Sequence, residues 1–122
     1  MIEPTQEDLA VKAGTTYNKP WEFLNEDETP MDLTGWTARM QLRTSMTAED
    51  VALELTTENG GIVIDEGNST LTILILDDQT SALAIDNAKT KYVYDLEIIY
   101  PSTSYVDCPL YGKVTVSPEV TR

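Results

Sequence analysis

The sequence predicts an all-β fold, a single antiparallel β-sandwich of about seven or eight strands with at most one short helix. Three observations carry that expectation. Apolar and polar residues alternate with period two through several segments, those segments are rich in Thr, Val, Ile, Leu and Tyr, and turn residues such as Gly, Asn and Pro recur between them. The 122 residues, 41% of them hydrophobic, suffice to line one core, so the chain reads as one domain over 1–116 followed by an extended C-terminal tail over 117–122.

Leu9 and Val11 open a short strand that ends at Gly14. Tyr17, Trp21 and Phe23 belong to the next, where Pro20 lacks the N–H of a ladder bond and therefore favours an edge or a bulge. Residues 26–30 form a charged turn. From there Trp36, Ala38, Met40 and Leu42 share one face of a half-buried strand, and Thr37, Arg39, Gln41 and Arg43 share the other. Val51, Leu53 and Leu55 mark a further strand, closed by Asn59, Gly60 and Gly61. Residues 62–65 pair through the turn at 66–69 with the apolar run 70–76, whose lack of alternation predicts a strand covered on both faces. The helical segment is 78–85, with Asp78 as its cap and Leu83 turned inward.

Tyr92, Tyr94, Leu96, Ile98 and Tyr100 define the longest strand, and residues 101–104 turn it into an antiparallel partner. In that partner Val106, Cys108, Leu110, Val114 and Val116 share a parity, which predicts that they face the core together. Pro118 then biases Ser117 to extended geometry, so 117–122 should leave the sheet with unpaired backbone groups.

Charge removes several functions. Twenty-one Asp and Glu against eight Lys and Arg give a net charge of −13, which opposes approach to a nucleic acid or an anionic membrane. No apolar run approaches the ~18 residues of a membrane span. The first residues are acidic where a signal peptide is basic and then apolar, so synthesis in the cytoplasm is expected. The chain has one cysteine and no histidine, and so lacks an intramolecular disulfide, the commonest metal ligand and the commonest general base. The clusters at 26–28, 65–66 and 77–78 lack the spacing of a calcium loop and read as solvated charge, and no carboxylate pair stands out for glycoside hydrolysis. No catalytic residue, cofactor, metal or small-molecule substrate is expected. Cys108, on an apolar parity and without a base, reads as an inert thiol.

Candidate contact residues remain. Tyr105 and Tyr111 fall opposite Val106 and Leu110 in parity and are expected on an exposed face, while Glu119, Val120 and Arg122 of the tail are expected either to touch a neighbouring subunit or to belong to a vestigial linker toward a missing fibre domain. The aromatic residues also leave open a platform for sugar.

Residues 27–43, with the Asp32-Leu33-Thr34-Gly35 step ahead of an alternating strand, resemble a phage and prophage tail structural family related to the N-terminal domain of baseplate upper proteins. Residues 58–62, 70–73, 92–97 and 112–122 match in order and spacing, so the resemblance covers nearly everything from Gly14 onward. It implies an immunoglobulin-like sandwich acting as a non-catalytic part of a virion: a tail, baseplate or neck adaptor or decoration subunit. Its implied partners are other virion structural proteins, in multiple copies around a symmetric ring or shell. A capsid decoration (cement) protein is the alternative, followed by a carbohydrate-binding module. Larger relatives carry this domain ahead of a fibre or receptor-binding part, whereas here the sequence ends at Arg122 and the hairpin glycine is replaced by Pro101 and the serines and threonine after it. Adaptor is therefore expected over adhesin. Copies bearing −13 repel one another yet can dock on a basic or neutral ring, and open sheet edges offer strand addition as the means.

Overall fold

The computed structural model describes residues 2–121. In chain order its elements are β1 (Thr5–Gln6), β2 (Leu9–Lys12), β3 (Tyr17–Glu22), β4 (Thr37–Arg43), β5 (Leu53–Thr56), β6 (Ile62–Asp65), β7 (Thr70–Ile75), α1 (Asp77–Leu83), β8 (Thr90–Ile99) and β9 (Val106–Ser117). A 3₁₀ turn, Ile85–Asn87, links α1 to β8.

One sheet runs β1-β9-β8-β4-β5, with β2 also on β9, and the other runs β3-β7-β6. The period-two strands supply the core between them. Ala38, Met40 and Leu42 of β4 and Tyr92, Tyr94, Leu96 and Ile98 of β8 face Leu71, Ile73 and Ile75 of β7, and all are buried. Full burial of each large aliphatic side chain here contributes roughly 1.5–3 kcal/mol. At one end Trp36 packs edge-on to Tyr100, with centroids 5.1 Å apart, and against Phe23 at 5.9 Å.

At the other end the Tyr92 hydroxyl donates to the Leu83 carbonyl (2.7 Å), tying the start of β8 to the helix before it. A tyrosine corner of this kind, two facing sheets and a helical crossover between them define an immunoglobulin-like sandwich. The smaller sheet is antiparallel throughout. The larger is mixed, because β1 and β2 run parallel to β9, so the wholly antiparallel sandwich expected from the sequence is corrected there. Two residues beyond Tyr92, at the place of the inter-sheet cysteine of antibody domains, stands Tyr94, whose hydroxyl donates to the Glu7 carbonyl (2.6 Å).

Pro20 lies on an edge strand, as its missing N–H requires. Other expectations need correction. Leu76, not Asp78, is the N-cap of α1, because the Gln79 side chain accepts from the Leu76 N–H (2.9 Å). Asp77 and Asp78 fill the first turn, where negative charge meets the positive end of the helix. Strand β7 is covered on one face only: Thr70, Thr72 and Leu74 are half-buried on the outer side of its sheet.

The tail departs most from expectation. Strand β9 continues through Ser117, which pairs with Lys12, and the Ser117 carbonyl accepts from the Ala13 N–H (3.0 Å). Pro118 lacks a donor but its carbonyl takes the Lys12 ammonium (2.6 Å). Glu119 then exchanges two hydrogen bonds with Asn87, its N–H to Oδ1 (3.0 Å) and its carbonyl from Nδ2 (3.1 Å). Residues 117–119 are thus bonded to the domain instead of projecting from it with unpaired backbone groups.

Candidate functional site

The outer face of the larger sheet is built from the odd-numbered residues of β4 and β8, which the pleat turns away from the core. Register places Arg43, Val93 and Lys113 in one row, and Gln41, Asp95, Tyr111 and Gln6 in the next. A groove of about 480 Å³ runs over these rows and is bounded by Cys108 and by Met46 of the loop after β4. Met46 is 89% exposed and Tyr111 42%, so apolar and aromatic surface stands open to water there.

The polar groups of this face are largely committed to one another. Arg39 Nε meets Glu97 Oε1 at 2.8 Å. Gln41 donates to Glu54 (2.7 Å) and accepts from Arg43 (2.8 Å), and the Arg43 guanidinium also holds the Ala48 and Glu49 carbonyls at 2.8 and 2.9 Å. The loop carrying Met46 is thereby fastened to the sheet at Arg43.

Cys108 reaches this face because β9 is bulged. Leu110 pairs with Leu96 but Asp107 pairs with Ile98, so Cys108 and Pro109 together oppose Glu97. Pro109 cannot donate to the ladder, and a bulge absorbs the residue that cannot pair. The bulge reverses the parity upstream of it. Val106 is exposed and Cys108 half-buried on the outer side, whereas Leu110, Val114 and Val116 face the core, so the common core parity expected for all five does not hold. Asp107 turns instead toward the sandwich rim, where it accepts from the Ile2 N–H (3.1 Å) and the Tyr100 hydroxyl (2.7 Å). Those bonds, the Ile2 one first, hold its carboxyl below the usual range, while burial and then Asp107 push the Tyr100 hydroxyl up to about 12.

Burial, then the Asp95 and Glu97 charges, push the Cys108 thiol up, which keeps it protonated and weakly nucleophilic. Burial and then Glu97 raise the Asp95 carboxyl, partly offset by Arg43 and Arg39. Among the described residues no group of three or more His, Cys, Asp or Glu is placed to hold a metal ion.

The sequence-predicted contact residues do not converge. Tyr111 lies in the groove. Tyr105, 67% exposed, sits in the hairpin turn before β9 begins, and Glu119 and Val120 follow its other end. Twelve strand residues at roughly 3.3 Å each separate them. Val120 is 85% exposed beside the anchored Glu119, and Arg122 lies outside the described residues. Val93, Met46 and Lys113 were not anticipated. For Cys108 the available signal was Pro109, since a proline within a strand marks a bulge and shifts the parity of the strand residues before it.

No protein-family model and no curated protein matches the sequence. Among solved structures, a chain from a crystal structure of a chicken TCR is similar over 97% of this chain, with a TM-score of 0.57 at 8% identity. The present chain spans 56% of that one. The likeness concerns the immunoglobulin-like fold, an architecture found in many functions, so the functional reading rests on surface chemistry and on the sequence resemblance.

Proposed function

We propose that the chain is a non-catalytic structural subunit of a bacteriophage particle, a tail, baseplate or neck adaptor that docks on other virion proteins. The observation that carries the docking part is the open groove of the larger sheet, where Tyr111, Val93 and Met46 lie over a rigid β scaffold. Aromatic and methionine side chains are enriched at the centres of protein interfaces, and a sheet presents them with little ordering cost on association. The virion assignment rests on the sequence resemblance at residues 27–43 and 112–122. A charge of −13 keeps free copies apart and favours a basic or neutral partner surface.

The test is recovery of the chain from purified particles. Stoichiometric presence in tail fractions, reduced by Tyr111→Ala without a change in the melting temperature of the isolated domain, is the expected result. Recovery in head fractions would reassign the chain to capsid decoration, and absence from particles would overturn the reading. Saccharide binding that is lost in Tyr111→Ala would favour a carbohydrate-binding module instead.

A further inference from the structure

The smaller sheet has two open edges, and hydrogen-bond parity distinguishes them. The Phe23 N–H donates to the Ser69 carbonyl (2.9 Å) and the Leu74 N–H to the Gly61 carbonyl (2.9 Å). Given the register, Leu71, Ile73 and Ile75 of β7 bond to β3, and Thr70, Thr72 and Leu74 bond toward β6. On β3 the residues turned to the free edge are then Asn18, Pro20 and Glu22, and Pro20 at their centre has no N–H to offer. On β6 they are Ile62 and Ile64, with both N–H and both C=O groups directed away from the sheet.

The edge of the larger sheet at β5 is closed in another way. The Asn59 side chain donates to the Glu54 carbonyl (3.0 Å) and accepts from the Thr56 N–H (2.8 Å), taking the groups a new strand would use. At the opposite margin β1 and β2 are short and interrupted at Glu7 and Asp8. Strand β6 has neither a proline nor a side-chain plug. Beside it lies an open slot of about 540 Å³, bounded across the sandwich by Trp36, Thr37 and Thr57. Val63, 49% exposed, stands on its outer flank.

From this geometry we propose that β6 is a strand-addition edge that takes an extended, lysine- or arginine-bearing segment of a partner protein into the slot beside Ile62 and Ile64. Main-chain pairing supplies the hydrogen bonds, and alternate side chains of the guest reach Trp36 on one side and solvent on the other. Charge selects the guest. Glu66 lines the slot and accepts from the Gly35 N–H across it (3.2 Å), while Glu58 and Asp65 flank it in the chain. Antiparallel pairing of β6 with β6 of a second copy would bring Glu58 of one copy toward Asp65 and Glu66 of the other, which opposes self-association. The proposal is independent of the virion assignment and of the Tyr111 groove.

The test uses the intact chain and the capped hexapeptide acetyl-Lys-Val-Lys-Val-Lys-Val-amide, followed by amide hydrogen exchange. Exchange at Ile62 and Ile64 should slow by at least about tenfold at millimolar peptide, with little change at Val63, whose N–H already serves β7. A peptide N-methylated at alternate residues, or one with Glu for Lys, should give no slowing. Ile64→Pro removes a free-edge donor and no ladder bond, and should abolish the effect while the far-ultraviolet spectrum is retained. Should that variant fail to fold, Glu58→Lys with Glu66→Lys, both on the surface, should weaken binding about tenfold. Unchanged exchange at Ile62 and Ile64 with the lysine peptide, or equal protection by the glutamate peptide, would overturn the proposal. So would protection of the same amides in a peptide-free dimer, which would make a second copy the guest.

Discussion

Tyr94 on β8 donates its phenolic hydrogen to the Glu7 carbonyl at 2.6 Å, joining residues 87 positions apart where β1 gives way to β2. The bond fastens the N-terminal strands to the core of the larger sheet at the point where they leave β9, and the ring itself is buried between the sheets. Tyr94→Phe keeps the ring and leaves that carbonyl without its partner, which should lower stability by about 1–3 kcal/mol. Urea denaturation measures it. An unchanged midpoint would mean that the Glu7 carbonyl finds water or another donor.

The tyrosines also set an alkaline limit. Burial raises the hydroxyls of Tyr17, Tyr92, Tyr94 and Tyr100, the last to about 12. Their folded values exceed the unfolded one of about 10, so the stabilisation is complete below about pH 10 and is lost as pH rises through the folded values. Melting temperature should therefore fall above about pH 10. The fall should be shallower in Tyr100→Phe, which thermal scans across that window would detect.

Gly112 on β9 is expected to tolerate no side chain. A Cβ there would lie 2.6 Å from the Glu7 carbonyl oxygen and 2.8 Å from Asp8 Oδ1, so β1 and β2 would have to move off β9. Gly112→Ala should cost about 1–3 kcal/mol, and Gly112→Val more, in equilibrium unfolding.

Asn87→Ala removes both hydrogen bonds that hold Glu119. Amide exchange at Glu119 should accelerate while Val114 and Val116 keep their protection, with a loss of stability of about 1–2 kcal/mol. Equal exchange in the variant and the parent would show that the Lys12 contact with Pro118 holds the tail unaided.

Cys108 reports on the groove. With its thiol pushed up by burial and by Asp95 and Glu97, alkylation at neutral pH should run at least about tenfold slower than that of a small free thiol. Asp95→Asn should speed it. A thiol reacting at the ordinary rate would contradict the proton-holding environment.

Much of the fold was written in local pattern. Strands β4 and β8 pack one face against the core, so hydrophobicity alternates along them and their faces could be assigned residue by residue. The same reasoning failed in β9, where Pro109 forces a bulge that reverses Val106 and Cys108 relative to Val114. It failed again at the tail, because the partners of Ser117, Pro118 and Glu119 are Ala13, Lys12 and Asn87, and only the assembled topology brings these together. Tyr111 was legible as a surface residue from parity. Its neighbours Val93 and Met46 were not, since they meet it through strand order, which single-strand periodicity does not encode.

The parallel pairing of β1 and β2 with β9 has a mechanical consequence. Because these strands run in the same direction, a pull that enters ahead of Thr5 and leaves after Ser117 draws them past β9 lengthwise. The two register pairs of β1 and the four of β2 are then strained together instead of peeling open one after another. Tension along the chain meets the sandwich in shear, and the Tyr94 bond to Glu7 and the Asn87 grip on Glu119 lie at the two places where slippage would have to begin.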